Sequence, residues 1–361
     1  MLQISTSILP TEVLSFTLQS LSPYNLQTKF LSTDGRQYRN GVKIRRCSSN
    51  TFQGTESAVT QSTVVDDFDD DLARDLRAEF DRRFSDPLKT DAERFVWDYW
   101  YVPGQYRLLR TPAHAFFSQS LYDRLEDALV EFGERRLGCR GISPIWLSYY
   151  VDGCRQELHT DAPHGPWAFV YSLTHWEDRK FDGGETVLLN SSLLLDNYWG
   201  AFDPSRGLET PQLTKLIEPR FGRLSVFDPR IPHGVRIVEG VKDPIQSRIV
   251  LHGWFTTPTP FFQGSMSQEE ATSVLNAALD SLYEELSTLP PVVGTVTVRL
   301  RVMATGDVQE MTILTNTIVA RYSEDDIDVI FDCIRGNMLA VQFPCHSSGT
   351  PTDITLPFVF Q

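Results

Sequence analysis

Three segments of the chain place apolar residues at the spacing of an amphipathic helix. Along Asp69–Phe84 an apolar residue recurs at every fourth position, and charged residues fill the positions between. The same stripe runs through Gln119–Phe132 and Ser267–Leu286, and Ser267 with Glu270 forms the S-x-x-E pattern of a capping box. The pattern therefore predicts three helices that each bury one face.

Between residues 142 and 258 the periodicity changes to short apolar or alternating runs that Gly, Pro and Asp interrupt. Runs of this kind are Ile145–Val151, Trp167–Leu173, Glu185–Leu189, Arg223–Phe227, Gly234–Val238 and Ser247–Phe255. Many short strands separated by turn signals are typical of a sandwich or jelly roll. We predict a mainly β fold whose core is a double-stranded β-helix, supported by the preceding helices.

The chain from residue 292 onward has the pattern of a separate small α+β unit. Gly294–Val302 and Val308–Leu314 alternate apolar and polar residues on either side of Thr305-Gly-Asp307, which predicts a hairpin. Ser323–Ile334 is a predicted helix and Ile354–Phe360 a closing strand. The aromatic stretch Phe95–Pro103, in the part before the β core, is interpreted as core rather than pocket wall.

The first residues differ in composition from the rest. Residues 1–63 are rich in Ser and Thr, contain Arg and Lys, and include only three acidic residues. This composition is typical of an organelle transit peptide, with an ordinary disordered tail as the alternative. Because basic residues are sparse before Lys29, a plastid location is expected ahead of a mitochondrial or cytoplasmic one.

These patterns divide the chain into four parts. After residues 1–63, a predicted domain occupies residues 64–258, with its β core from about residue 142. Residues 259–291 are expected to form a helical linker, and residues 292–361 form the small C-terminal unit.

Charge and cysteine content exclude several classes of protein. The net charge is −14 and no basic cluster exceeds Lys43–Arg46, which argues against a nucleic-acid partner. The five cysteines are odd in number and contain no C-x-x-C, which argues against a disulfide framework or a structural zinc site. No apolar run is long enough to predict a membrane span.

Candidate metal ligands occur in two of the β runs. In His159-Thr160-Asp161 the first and third residues point to one face if the segment is a strand. His233 follows in the stretch Phe227-Asp-Pro-Arg-Ile-Pro-His233. Two His and one carboxylate form the facial triad of non-haem Fe(II) oxygenases, although H-x-D alone is a weak signal. The carboxylate of Asp161 leaves no free position for a halide, so we expect oxygenation or desaturation.

Arg248 strengthens this interpretation. It lies on the predicted strand Ser247–Phe255. A buried Arg at this position can form a bidentate, charge-assisted pair with the distal carboxylate of 2-oxoglutarate. The alternative is an ordinary edge or surface arginine.

The segment Tyr149–Phe255 resembles the 2-oxoglutarate/Fe(II) dioxygenase superfamily, and most closely its prolyl-hydroxylase-like branch. The motifs that carry the resemblance are Tyr149-Tyr-Val-Asp-Gly153, His159-Thr-Asp161, Asp182-Gly-Gly-Glu-Thr-Val187, Asp228-Pro-Arg-Ile-Pro-His233, and Arg248 with Gly253-Trp-Phe255. The resemblance implies an enzyme that oxidises a substrate C–H bond with O₂ and 2-oxoglutarate, releasing succinate and CO₂. It also implies Fe(II) on His159, Asp161 and His233, 2-oxoglutarate on Arg248, and ascorbate as an optional addition.

Three further residues are candidates for the 2-oxoglutarate pocket. The resemblance implies that Tyr150 helps to bind 2-oxoglutarate, and Tyr149 is its rival because only one of two neighbours on a strand can face inward. Both can instead be plain strand aromatics. His252 should face the same side as Arg248, where it either lines the pocket or is a hydrogen-bonded core histidine.

The C-terminal unit resembles the C-terminal domain of TonB. The carrying residues are Gly294–Val302, Thr305–Val308, Phe343-Pro344 and Ile354–Phe360. Such a module could contact a peptide or another subunit by strand addition, or serve only for packing or dimerisation.

The substrate stays open, as a small molecule or a protein side chain. Phe95–Tyr101 and Ser191–Thr210 are candidate lid or substrate segments. Two alternatives to the oxygenase are a catalytically inactive, cupin-like metal-dependent binding or scaffold protein, and a nucleic-acid demethylase of the same superfamily, which the acidic charge disfavours.

Overall fold

The computed structural model describes residues 2–3, 17–18, 62–85, 97–189, 214–346 and 349–360. The α-helices in these ranges are α1 (Asp70–Phe84), α2 (Ala113–Phe116), α3 (Gln119–Phe132), α4 (Gln268–Leu286) and α5 (Asp325–Leu339). The strands are β1 (Leu2–Gln3), β2 (Thr17–Leu18), β3 (Ser62–Val65), β4 (Asp98–Val102), β5 (Tyr106–Pro112), β6 (Cys139–Ile142), β7 (Trp146–Tyr150), β8 (Arg155–His159), β9 (Trp167–Ser172), β10 (Thr186–Leu189), β11 (Thr214–Ile217), β12 (Leu224–Phe227), β13 (His233–Val235), β14 (Arg248–Pro258), β15 (Phe261–Gln263), β16 (Val292–Val302), β17 (Val308–Asn316), β18 (Val319–Ala320) and β19 (Thr352–Phe360). A π-helix spans Gly133–Leu137, and 3-10 helices span Ala162–His164 and Pro244–Gln246.

Within the described ranges, twelve antiparallel strands form one large curled sheet. Its order is β11-β10-β13-β8-β5-β7-β14-β9-β12-β3, with β4 added to β5 and β6 added to β14. β5 pairs with both β7 and β8 and so connects two halves of the sheet. Ala168 and Phe227 of one half pack with Leu188 and Ile217 of the other. The predicted jelly-roll core is therefore confirmed, as is the small second sheet unit after it.

The long strand β14 shows how the sequence pattern builds both faces of this core. Ile249, Leu251 and Phe255 are buried in the cluster that also contains the helices. The residues between them, His252 and Trp254 among others, line the internal cavity. Because strand side chains alternate, one strand supplies the helix-facing core and the cavity wall together.

Helices α1 and α3 cover the outer face of the sheet as predicted. The side chain of Asp69 caps α1 by accepting a hydrogen bond from Leu72 N at 2.9 Å. Arg77 is the one charged residue buried on this helix; it donates to Leu173 O at 2.7 Å and pairs with Asp81 at 2.8 Å. These bonds satisfy the buried guanidinium and tie the helix to the end of β9.

The aromatic stretch is only partly core. Trp97 contacts Tyr149 with the ring centroids 4.6 Å apart, inside the cluster that contains the helices. Trp100 lines the internal cavity. Tyr99 and Tyr101 are 54% and 56% exposed, so the interpretation as core is wrong for these two residues. β4 is a strand with one face in solvent, and its alternating sides have different environments.

Two predicted segments are not tested by the fold. β1 and β2 pair with each other inside the predicted transit peptide or tail, and that assignment stays a prediction. The candidate lid Ser191–Thr210, like residues 95 and 96 of the other candidate segment, lies outside the described residues.

The C-terminal unit is a five-stranded antiparallel sheet covered by two helices. β15, β19, β16 and β17 follow in that order, and β18 pairs with the start of β16. The hairpin of β16 and β17 is present where it was predicted, and α4 begins with the predicted capping box. The predicted helix Ser323–Ile334 begins at Asp325 and continues to Leu339.

The segment expected as a linker contributes to this unit. Residues 259–291 supply β15, which pairs with β19, and α4, whose apolar face belongs to the C-terminal core. The resemblance to the TonB C-terminal domain stays a prediction. None of the helices in the described part of the chain combines the length and apolarity needed to cross a bilayer.

Arg230 connects the two sheet units. Its guanidinium forms an ion pair with the buried Asp228, with Nε 2.8 Å from Oδ1, and donates to Phe360 O of β19 at 3.0 Å. It also approaches Thr295 Oγ1 of β16 at 3.2 Å. Arg230 lies in the loop between β12 and β13, so the C-terminal sheet anchors the loop that leads to His233.

We expect Arg230→Ala to lower the free energy of unfolding by about 3 kcal/mol, because the buried Asp228 carboxylate loses its partner. Urea denaturation of the full chain measures the change. Arg74→Ala is the matched control, since Arg74 pairs with Asp71 at 2.6 Å on the exposed side of α1 and its loss should leave the free energy of unfolding close to that of the wild type. Equal losses in the two variants would show that Arg230 is no anchor.

Candidate metal centre

The side chains of His159, Asp161 and His233 converge in the cavity between the two halves of the large sheet. His159 ends β8 and His233 begins β13, and the two are direct partners in the antiparallel ladder. Asp161 Oδ2 lies 3.7 Å from His159 Nε2 and 3.5 Å from His233 Nε2. The three ligand atoms lie within 4.8 Å of one another, a spacing that one divalent cation can bridge.

The expectation that one strand carries both His159 and Asp161 is wrong. β8 ends at His159, and Asp161 begins the 3-10 turn Ala162–His164 with φ −117° and ψ 25°. Its backbone N–H donates to Pro229 O at 2.9 Å, in the loop that leads to His233. The carboxylate therefore meets the imidazoles because of a loop-to-loop contact, and strand alternation has no part in it.

Backbone carbonyls fix which nitrogen of each imidazole faces the centre. His159 Nδ1 lies 2.8 Å from Glu157 O, and His233 Nδ1 lies 2.9 Å from Ile231 O. A carbonyl oxygen only accepts, so each Nδ1 carries the proton and donates. In the neutral rings both Nε2 lone pairs then face Asp161, which is the tautomer that a metal-binding histidine requires.

The proton equilibria of the site favour an anionic Asp161. Burial raises the pKa of Asp161, but hydrogen bonds and charge from His159 and His233 outweigh it and leave the pKa well below its usual range. Burial lowers the pKa of His159, yet hydrogen bonds to Asp161 and Glu157 O leave it above its ordinary value. A cation that binds here must displace protons from imidazole, so its affinity falls as the pH falls.

Arg248 reaches into the cavity from β14 and is only 1% exposed. Its Nε donates to Gly184 O at 2.7 Å, and its Nη2 donates to Thr186 Oγ1 at 3.2 Å. The third nitrogen, Nη1, is buried and has no hydrogen-bond partner among the described residues. A buried donor without a partner costs about 1–3 kcal/mol, so this nitrogen indicates a position for an anionic ligand.

The Gly183-Gly184 pair makes the contact with Arg248 possible. Both residues have positive φ, 76° and 84°. A Cβ on Gly183 would lie 1.8 Å from Ile237 O, and one on Gly184 would lie 3.3 Å from Arg248 Cδ. The turn thus brings a backbone carbonyl to the guanidinium at a place where no side chain fits.

Of the two rival tyrosines, only Tyr150 lies in the cavity. Its ring lies under Arg248, with Cζ 4.5 Å from the ring centroid, and its hydroxyl donates to Gln156 Oε1 at 3.0 Å. Burial raises the pKa of Tyr150 to about 12. Tyr149 points to the opposite face and packs on Trp97 and Phe80, so its candidacy for the 2-oxoglutarate pocket is wrong.

His252 also lines the cavity, on the same side of β14 as Arg248. Its Nε2 lies 2.8 Å from Ser148 Oγ. Burial, followed by the charges of Arg248 and Arg110, lowers the pKa of His252 to about 3. The ring is therefore neutral, and it is both a cavity residue and a hydrogen-bonded core histidine.

Sequence reasoning missed several residues of the cavity wall. Tyr106 was missed, and it meets His159 edge to face with the centroids 5.0 Å apart; Trp100 beside it was singled out only as part of the candidate substrate segment Phe95–Tyr101. Arg110 and Gln156 complete this wall. Their positions follow from the pairing of β5 with β7 and β8, a long-range contact for which the chain carries no local motif.

Two further histidines close to the motifs in sequence, His164 and His175, differ in position. His164 lines the rim of the cavity and stacks on Trp254 with the centroids 4.3 Å apart. His175 stacks on Phe221 at 5.1 Å and is not among the residues that line the cavity. Only the first is placed where it can meet a ligand.

The depressed pKa of His252 predicts a pH-dependent stability. The unfolded chain takes up a proton near the ordinary pKa of 6.5, whereas folded His252 stays neutral down to about 3. Stability is therefore present above pH 6.5 and lost as the pH falls, by up to about 1.4 kcal/mol for each pH unit.

We expect this loss to be absent in His252→Gln, because a Gln side chain keeps a hydrogen-bonding group near Ser148 but does not titrate. Urea unfolding of both proteins between about pH 7 and about pH 5 gives the difference, in which all other titrating groups cancel. Parallel pH profiles in the two proteins would contradict the assignment.

Solved structures of low sequence identity resemble the described chain over about half of its length. A prolyl-4-hydroxylase from Pseudomonas putida is 18% identical, with a TM-score of 0.35, covering 55% of this chain and 92% of that one. An oxidoreductase of the 2OG-Fe(II) oxygenase family from Burkholderia pseudomallei is 16% identical, with a TM-score of 0.37, covering 55% and 86%. HygX from Streptomyces hygroscopicus, with nickel, 2-oxoglutarate and hygromycin B bound, is 14% identical, with a TM-score of 0.36, covering 55% and 84%.

No curated protein matches the sequence. A family model does match part of it, from residue 145 to residue 256. This part runs from the start of β7 almost to the end of β14 and includes His159, Asp161, His233 and Arg248. Residues 145–256 of this chain therefore match the 2OG-Fe(II) oxygenase superfamily.

Proposed function

We propose that this protein is a 2-oxoglutarate- and Fe(II)-dependent oxygenase that oxidises a C–H bond of its substrate. One observation carries the proposal: a cluster of two histidines and one aspartate shares a cavity with a buried arginine that has an unpartnered nitrogen. In the hydroxylation, one oxygen atom of O₂ enters the C–H bond. The other enters succinate as 2-oxoglutarate loses CO₂, so the atoms and electrons balance.

The donor set fits ferrous iron. Two imidazole nitrogens and one carboxylate oxygen, all within 4.8 Å of one another, are the ligands of a 2-His-1-carboxylate site. The backbone carbonyls on both Nδ1 atoms keep each Nε2 available, as the outer shell of a metal site does. His159, Asp161 and His233 would hold the ion and leave its other positions to ligands and O₂.

The arginine fits the distal carboxylate of 2-oxoglutarate. Arg248 donates to Gly184 O and Thr186 Oγ1, and these two bonds fix the orientation of its fork. Nη1 offers the unused donor. The cavity, about 110 Å³, is large enough for a small dicarboxylate or several waters. The neutral hydroxyl of Tyr150 lies at the same end, beside the guanidinium.

The chain's own residues supply binding and orientation. Asp161 and the two imidazoles present three ligand atoms on one side of the metal position. Arg248 fixes one end of the co-substrate by a charge-assisted bond that is strong because water is excluded. Trp100 and Tyr106 line the cavity beside His159, and Tyr106 contacts the His159 ring edge to face. Iron with 2-oxoglutarate supplies the oxidation of the C–H bond itself.

The carboxylate of Asp161 favours oxygen chemistry over halogenation. A halide needs a metal position that a missing carboxylate leaves free, and Asp161 lies within 3.7 Å of both imidazole Nε2 atoms. The inactive, metal-dependent binding protein is the second candidate. The unpartnered Arg248 Nη1 fits an anion in either protein, and consumption of 2-oxoglutarate with Fe(II), which a pure binding protein should not show, separates the two.

The first experiment needs no substrate. Fe(II) and 2-oxoglutarate are added to the full-length protein without oxygen, and we expect the weak visible charge-transfer band of an iron-bound 2-oxo acid. An Asp161→Ala/His233→Ala double variant that is folded by circular dichroism should lack the band. A folded wild-type protein without the band would overturn the proposal.

The second experiment tests Arg248. We expect Arg248→Gln to weaken 2-oxoglutarate binding roughly 10- to 100-fold, the equivalent of a hydrogen bond to a charged group. Titration of the charge-transfer band gives the affinity. Arg236→Gln is the matched control, because Arg236 follows β13 on the exposed surface and pairs with Glu185. Equal affinities in the two variants would assign 2-oxoglutarate to another residue.

A further inference from the structure

A second arginine lines the same cavity. Arg110 extends from β5, and its Cζ lies 3.3 Å from the ring centroid of Trp100 and 4.1 Å from that of Trp146. The strand registers place these rings on its two flanks, since Trp100 is opposite Leu108 and Trp146 is opposite Pro112. The two indoles hold the guanidinium by cation–π contacts and restrict its orientation.

This guanidinium has no anionic partner in the described part of the chain. Its Nε is buried and lacks a hydrogen-bond partner. Asp98 is the residue opposite Arg110 in the β4–β5 ladder, but its side chain is exposed and forms no ion pair with Arg110. Burial lowers the pKa of Arg110, and the charge of Asp98 offsets this only in part, so the cation is desolvated without full compensation.

The position of Arg110 separates it from the 2-oxoglutarate end of the cavity. In the antiparallel ladders Arg110 is opposite Ser148, and Ser148 is opposite Val250. The pair Tyr150–Arg248 lies two residues further along these strands. Its stacking partner Trp100 contacts Tyr106 at 5.4 Å, and Tyr106 contacts His159 at 5.0 Å. A continuous aromatic wall therefore leads from Arg110 to the metal ligands.

Charge balance gives the ligand class, on the basis of the proposed function. Fe(II) and Arg248 together balance Asp161 and the two carboxylates of 2-oxoglutarate. Tyr150 and His252 are neutral, because burial raises the pKa of the tyrosine to about 12 and lowers that of the histidine to about 3. Arg110 then remains as one uncompensated positive charge among the described residues of the cavity wall.

We propose that Arg110 binds a carboxylate of the substrate, and that the substrate is a small organic acid with one negative charge. A stacked guanidinium presents its N–H groups only in its own plane, where a planar carboxylate accepts two of them. A phosphate dianion would need a second cation, and the described wall offers no further arginine or lysine once Arg248 is used.

The test compares acids with their uncharged amides. The full-length protein is loaded with Zn(II), which is unreactive and diamagnetic, and with saturating 2-oxoglutarate. Ligand-observed NMR measures the binding of four acids and of their primary amides: acetate, benzoate, cyclohexanecarboxylate and N-acetylglycine. Phenyl phosphate is measured in the same way, to compare a phosphate ester with a carboxylate. We expect at least one acid to bind roughly 10-fold or more tightly than its amide, as one charge-assisted hydrogen bond provides.

Variants locate the effect. Arg110→Gln should abolish the preference for the acid over the amide. Arg110→Lys keeps the charge but loses the planar fork, so the preference for the acid should persist while the acid binds more weakly. If Arg110→Gln does not fold, this weaker binding of the acid in Arg110→Lys is the test of the subsite. Arg179→Gln is the control, because Arg179 also stacks on a tryptophan, Trp176 at 3.9 Å, but is not among the cavity residues. It should behave as wild type.

Each remaining outcome overturns the proposal. Amides that bind as well as acids, no binding by any acid of the panel, or a preference that survives in Arg110→Gln would each remove the carboxylate subsite. Tighter binding of phenyl phosphate than of benzoate would replace the carboxylate by a phosphate ester. The charge-transfer band of the wild-type protein is measured separately. If the band is present but acids bind no more tightly than amides, the carboxylate subsite alone is rejected. If the band is absent, the oxygenase itself is rejected.

Discussion

The burial of the Arg248 guanidinium is the constraint on which the rest of the site depends. A buried charge is stable only when its donors are satisfied, and two of the three nitrogens obtain their partners from the opposite half of the sheet, at Gly184 O and Thr186 Oγ1. These bonds hold β14 against β10 at a fixed distance. The cavity lies between the strands that these bonds connect, and the unpartnered third nitrogen favours a ligand with a negative charge.

The metal ligands depend on backbone pairing more than on side-chain packing. His159 and His233 are partners in one ladder, and each imidazole is oriented by a carbonyl two residues earlier in the chain. Asp161 is held by the neighbouring loop, through Pro229 O. Backbone contacts therefore fix the spacing of the three side chains, and such support from outside the ligand set is what a metal site needs for affinity and selectivity.

How much of this arrangement the sequence predicts depends on the range of the interaction. The helices, the strands and the ligand motifs were predictable because each is a local pattern, as for Asp69–Phe84 or His233 before a β run. The choice between Tyr149 and Tyr150 was not, because alternation says that one faces inward, and only the pairing of Tyr150 with Arg248 says which. Arg110 had no local signal at all, since its place in the cavity comes from the insertion of β5 between β7 and β8.

The anchor at Arg230 has a consequence for biosynthesis. Its acceptor, Phe360 O, lies 130 residues later in the chain. At a translation rate of roughly 5–20 residues per second, the loop that carries Pro229 and His233 exists for roughly 6–26 seconds before its anchor has been made. During that interval the loop lacks its hydrogen bonds to β16 and β19. Full anchoring of the loop that leads to His233 is thereby delayed until β19 has been translated and folded.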